Sequence, residues 1–122
     1  IVEYTDIYPT LVEITNLSVP HNIDGISFKK LFSSDDYQHR KMALSQATRP
    51  WPSNKPIKQM AYSIRTKHYR YTRWLNVNSN KIIEEELYNS EQDPLEVDNL
   101  IHKVKPIELK KIRKVYDEHS HL

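Results

Sequence analysis

Apolar positions recur every three or four residues near the start of the chain, at Ile7, Leu11, Ile14 and Leu17. That spacing predicts an amphipathic helix of about three turns. Thr5 or Asp6 can cap it, and Pro9 falls in the first turn, where its missing N–H costs little. Val19-Pro20 is expected to stop the helix. Asp24-Gly25 then marks a turn containing the only glycine of the chain, so Gly25 is expected at a positive φ. Ile26 to Phe32 reads as a helical turn, followed by the polar connection Ser33-Ser34-Asp35-Asp36.

From here the period changes to two. Lys41 to Gln46 predicts a strand, and Pro50, Pro52 and Pro56 predict a loop from Ala47 to Lys58. Met60, Tyr62, Ile64 and Thr66 alternate with Ala61, Ser63 and Arg65. After a reversal at Lys67-His68, Tyr69, Tyr71 and Arg73 alternate with Arg70, Thr72 and Trp74, which is the pattern of a hairpin. Asn76 to Lys81 is a polar loop and Ile82 to Asn89 a further strand. Asp93-Pro94 begins a turn. Lys105-Pro106 opens a last helix with Pro106 near its first position. Leu109, Ile112, Val115 and Tyr116 form its apolar stripe and are expected to cover one face of the sheet. Lys110, Lys111, Arg113 and Lys114 are expected on its solvated face. The fold class is α+β: a small antiparallel sheet of about four strands packed by a C-terminal helix.

Charge changes this picture. From Tyr37 to Ile83 there are ten Lys or Arg (Arg40, Lys41, Arg49, Lys55, Lys58, Arg65, Lys67, Arg70, Arg73, Lys81) and no Asp or Glu; all sixteen acids lie outside this block. A basic, aromatic sheet suits an anionic ligand. Guanidinium groups pair with sulfate, carboxylate or phosphate, and tyrosines offer faces to sugars or bases. Single-stranded nucleic acid and an acidic polysaccharide both fit. The plainer reading spreads the cations over several solvated faces and places Tyr62, Tyr69, Tyr71 and Trp74 as cross-strand pairs and core.

Catalytic signatures are absent. With no cysteine there is no thiolate nucleophile and no Cys-based zinc site. One glycine rules out phosphate loops and dinucleotide fingerprints, and Gly-x-Ser-x-Gly is missing. The six histidines are scattered, and Glu84-Glu85-Glu86 cannot share one strand face, so the run reads as a partly solvated edge. No apolar run approaches the roughly 18 residues needed to span a bilayer. The chain opens on Ile in mid-pattern, which suggests a fragment or a processed chain.

Several segments nevertheless carry a family resemblance. Asp6-Ile7-Tyr8-Pro9-Thr10-Leu11, Val19-Pro20 and Asp24-Gly25-Ile26-Ser27 resemble the stretch that closes the catalytic domain of sulfatases. Ala43-Leu44-Ser45-Gln46 with Arg49-Pro50, Met60 to Thr66 with Tyr69-Arg70-Tyr71-Thr72 and Trp74, and Glu86-Leu87-Tyr88 with Asp93-Pro94-Leu95-Glu96 and Asn99-Leu100 resemble their C-terminal subdomain. The central match is most similar to the iduronate-2-sulfatase branch.

The resemblance implies an alkaline-phosphatase-like parent enzyme hydrolysing sulfate esters of a sulfated glycan, with a formylglycine nucleophile and a calcium ion. Both belong to a catalytic domain outside this chain. Residues 1–36 would close that domain, and 37–122 would form the C-terminal subdomain. It also implies one wall of the substrate cleft, with Ser45, Gln46 and Arg49 as candidate contacts and Trp51 and His68 behind them. Arg49 would meet a uronate carboxylate or a second sulfate, and Gln46 sugar hydroxyls. The family implies an extracytoplasmic parent (periplasmic, secreted or lysosomal). Implied partners are the missing catalytic domain and the glycan, with no membrane. The exposed face of the first helix suggests dimerisation of the isolated chain. The alternative is a stand-alone basic module binding nucleic acid or acidic polysaccharide.

Overall fold

A computed structural model describes residues 1–18, 21–34, 36–51 and 54–119; the expected stop at Val19-Pro20, Asp35, Pro52 and His121 lie outside these. The chain forms two compact units, Ile1–Ala43 and Leu44–Leu122.

In the first unit a 3₁₀ turn, Tyr4–Asp6, leads into α1, Ile7–Ile14. The helix is shorter than its apolar stripe suggested. Asn16 stands in the left-handed region at φ 55°, and the Leu17 N–H turns back to the Val12 carbonyl. Ile7, Leu11, Ile14 and Leu17 are exposed, while Pro9, Thr10 and Val12 are buried. Thr10 ties the unit together: its hydroxyl donates to the Asp6 carbonyl at 2.6 Å and accepts from the Phe28 N–H at 3.0 Å. Gly25 does not have a positive φ. It is needed for space, because a Cβ there would lie 1.9 Å from the Thr5 carbonyl oxygen. A second 3₁₀ turn, Lys29–Phe32, follows, with Phe28 edge-on to Phe32 and to His39.

The second unit is built on a sheet of order β1-β2-β3-β4. The strands are β1 (Met42–Arg49), β2 (Gln59–Thr66), β3 (Tyr69–Asn76) and β4 (Ile82–Asn89). β1 runs three residues beyond the expected strand, and Lys58 N–H then closes on the Arg49 carbonyl at 3.0 Å. Only Lys67 and His68 separate β2 from β3. Antiparallel register places Ile64, Tyr71 and Leu87 in one row, Tyr62, Arg73 and Glu85 in the next, and Ala61, Trp74 and Glu84 in a row on the opposite face.

The last helix, α2, runs Pro106–His119. Tyr116 joins Ile64, Tyr71, Leu87 and Ile101 in the buried core, with Leu109, Ile112 and Val115 packed around it. The Tyr71 and Tyr116 rings meet edge to face at 5.3 Å, a favourable geometry for two π systems. Asn99 shields part of the open edge of β4. Its Oδ1 accepts from Leu87 N–H at 3.0 Å and Ile101 N–H at 3.1 Å, and the Leu100 N–H donates to the Leu87 carbonyl at 2.7 Å. A side chain thus supplies what a fifth strand would, which a sheet edge otherwise lacks.

Candidate functional site

Folding disperses the cationic block by pairing its arginines with acids from outside it. In the first unit, Arg40 clamps Asp6 through both oxygens, Nε to Oδ2 at 2.8 Å and Nη2 to Oδ1 at 2.5 Å. Asp6 also accepts from the Glu3 and Ile26 N–H groups, each at 2.9 Å, and His39 Nε2 lies 3.0 Å from Oδ2. Arg40, followed by those N–H groups and His39, outweighs burial and holds the Asp6 carboxyl well below the usual carboxylate range.

The sheet repeats this pattern on both faces. On the α2 side, burial pushes the Glu85 carboxyl up, but Arg113, the Tyr71 hydroxyl and Arg73 bring it below its ordinary value. Arg113 Nε donates to Glu85 at 3.0 Å, and Arg73 Nη1 to Asp117 at 2.5 Å. Burial, and then donation to Glu85, raise the Tyr71 phenol. Arg113 therefore fastens α2 to β4 through Glu85 while its side chain stays 42% exposed. On the opposite face, Glu96 pairs with both Arg65 and Arg70. The Arg49 guanidinium lies 3.6 Å over the Trp74 ring, with Nη1 3.3 Å from Glu84 and Nη2 3.9 Å from Glu86. The glutamate run is thus a set of anchors on alternate faces; the Glu85 and Glu86 side chains are only 15% and 19% exposed.

The candidate wall residues separate into two places. Ser45 and Gln46 are exposed on edge strand β1. Arg49 ends that strand, the Arg49–Pro50 peptide is cis, and Trp51 projects from the following turn at 75% exposure. His68 sits in the β2–β3 hairpin and pairs with Glu91 at 2.9 Å. Arg49 adjoins Lys58 and His68 follows Thr66, so about 30 Å of extended strand separates them. Ser45, Gln46, Arg49 and Trp51 thus follow one another along β1 and the turn after it, apart from His68, and strand alternation puts Ser45 on the Arg49 side of β1 and Gln46 on the other.

Trp74 and Glu86, which carry Arg49, read from the sequence as a cross-strand or core aromatic and as part of a solvated edge, and were not among the candidate wall residues. Two pockets lie elsewhere. One, about 140 Å³, is an apolar hollow between the sheet and α2 lined by Ile64, Tyr69, Tyr71, Ile112 and others. The second, about 370 Å³, runs along β4 past Ile83, Glu85, His102 and Arg113. Among the described residues no three His, Asp or Glu come together to hold a metal ion, and no helix is long and apolar enough to cross a membrane.

The family model for the C-terminal region of N-sulphoglucosamine sulphohydrolase matches residues 1–119. Iduronate 2-sulfatase of Homo sapiens is 31% identical over 136 residues, covering 82% of this chain and 25% of that protein. An ulvan-active sulfatase of Formosa agariphila is 29% identical over 125 residues, covering 82% of this chain and 24% of its own length. A solved structure in complex with its substrate, D-glucosamine-2-N,6-O-disulfate, superposes with a TM-score of 0.68 at 26% identity over 93% of this chain and 22% of that one. The chain thus spans about a quarter of the curated relatives it matches. With a match over nearly all its residues and a four-stranded antiparallel sheet packed by a C-terminal helix, the chain belongs to the N-sulphoglucosamine sulphohydrolase C-terminal family, the C-terminal portion of a sulfatase.

Proposed function

We propose that this chain is the C-terminal portion of an extracytoplasmic sulfatase that hydrolyses sulfate esters of a sulfated glycan. In this reading it packs on the catalytic portion and gives the substrate cleft one wall. The family match over residues 1–119 carries the proposal. The disulfated glucosamine bound by a structural relative supports a sulfated sugar as the substrate class.

Residues 1–36 would close the catalytic domain. The exposed α1 face of Ile7, Leu11, Ile14 and Leu17 is apolar surface that packing on the rest of the parent would remove from water. The nucleophile and calcium belong to that other portion, where they would supply attack on sulfur and charge stabilisation.

This chain's residues bind and orient. Gln46 can donate to and accept from sugar hydroxyls, Ser45 likewise, and Trp51 offers an aromatic face to a sugar ring. Arg49 supports the wall, since carboxylates already compensate its charge. The same pairing of arginines argues against a stand-alone basic module, whose affinity would come from cations left open to phosphate or sulfate.

Kinetics of sulfate release by the intact parent test the wall. Joint replacement of Ser45, Gln46 and Trp51 by alanine is expected to lower kcat/KM on a sulfated oligosaccharide at least tenfold, mostly through KM, as loss of ground-state binding does. Unchanged kinetics would contradict the wall.

A further inference from the structure

We propose that Glu86 is a positioning residue for the substrate wall: it fixes Arg49, and Arg49 holds the neck from which Trp51 projects. The inference rests on the reading of this strand and turn as a cleft wall. β1 ends at Arg49 and β2 begins at Gln59, and the Lys58 N–H to Arg49 carbonyl bond joins the two at 3.0 Å, closing the base of the connection that starts at Pro50. Whatever immobilises Arg49 therefore immobilises one side of that base.

The Arg49 side chain crosses the face of the sheet opposite α2. It stacks over Trp74 and ends at Glu84 and Glu86 on β4, at the far edge of the sheet. Ala61 and Glu84 share the Trp74 row, and an alanine on β2 leaves room for a side chain to pass. Of the two carboxylates, Glu86 is the better held. Its side chain is 19% exposed against 51% for Glu84, so water and salt screen it less.

Glu86 also acts through the indole. Its Oε1 accepts from Trp74 Nε1 at 2.7 Å, while its Oε2 receives the Tyr88 hydroxyl at 3.4 Å. An indole has a positive N–H edge and a negative face. A carboxylate on that edge draws the N–H proton outward and enriches the face on which Arg49 lies, strengthening the cation–π contact. Glu86 thus holds Arg49 directly as a counter-charge and indirectly through Trp74. Removing its charge loosens both contacts, and the turn bearing Trp51 samples more orientations before substrate arrives. That cost falls on binding and leaves bond cleavage alone.

The test uses the intact parent with Glu86→Gln, Trp51→Ala and the double variant, read by steady-state kinetics and by amide hydrogen exchange over residues 49–58. Glu86→Gln is expected to raise KM about tenfold with kcat within about twofold, to speed exchange in that segment, and to add nothing to Trp51→Ala in the double variant. Glu86→Asp should recover part of the KM. Unchanged exchange in Glu86→Gln, or kinetic effects that add fully, would overturn the positioning role. Faster exchange together with an unchanged KM in Trp51→Ala would leave Glu86 holding the turn but refute the wall, and with it this proposal.

Discussion

Replacing Asp6 by alanine is expected to unfold the first unit, residues 1–43, at a cost of about 3–5 kcal/mol. Asp6 is fully buried, and its two oxygens receive Arg40, two backbone N–H groups and His39. Alanine would leave Arg40 without its bidentate partner and two donors unsatisfied in a unit too small to absorb the loss. Hydrogen exchange read along the chain should show protection lost across 1–43 while β2 to β4 keep theirs. Retained protection in the first unit would show that the cluster is dispensable.

The same carboxylate predicts a pH dependence. Its folded pKa is depressed, so the stabilisation is fully present above the unfolded value, about 4. It is lost as pH falls from there toward the lower folded value. The first unit should therefore loosen in acid below about pH 4, and an Asp6→Asn variant should show a flatter response over that window.

Leu87→Ala is the second large effect, expected to cost the second unit about 3 kcal/mol. Leu87 is 0% exposed and lies in the row with Tyr71 and Ile64, beneath Tyr116 of α2. Truncation opens a cavity where β3, β4 and the helix meet, and the rigid rings of Tyr71 and Tyr116 cannot collapse into it. The urea midpoint, followed by fluorescence of buried Trp74, should fall with little change in slope. A loss under about 1 kcal/mol would mean that the core relaxes into the space.

Much of the second unit was legible in its sequence because the signals there are local. Tyr62 to Trp74 alternates strictly, Lys67-His68 is the only break, and Pro106 with the Leu109 to Tyr116 stripe announces α2. Contacts between residues distant along the chain were not legible. Asp6 finds Arg40 34 residues away, Arg49 finds Glu84 35 away and Arg65 finds Glu96 31 away. A block with no acid of its own therefore reads as an open cationic surface although its arginines are paired.

Gly25 shows the same limit. A lone glycine beside an aspartate signals a turn, but the steric demand comes from Thr5, twenty residues earlier, and no local pattern encodes it. Within the candidate site, Ser45, Gln46, Arg49 and Trp51 are adjacent in sequence and remain so in the fold. His68 does not join them, because an antiparallel strand carries it to the opposite end of the sheet.

Sulfate release from a sulfated glycosaminoglycan, compared between the intact parent and the 122-residue chain, tests the central claim most directly. Release by the parent and none by the chain alone is expected, because the proposal puts the nucleophile in the catalytic portion. Turnover by the isolated chain, or a parent inactive on every sulfated glycan offered, would contradict it.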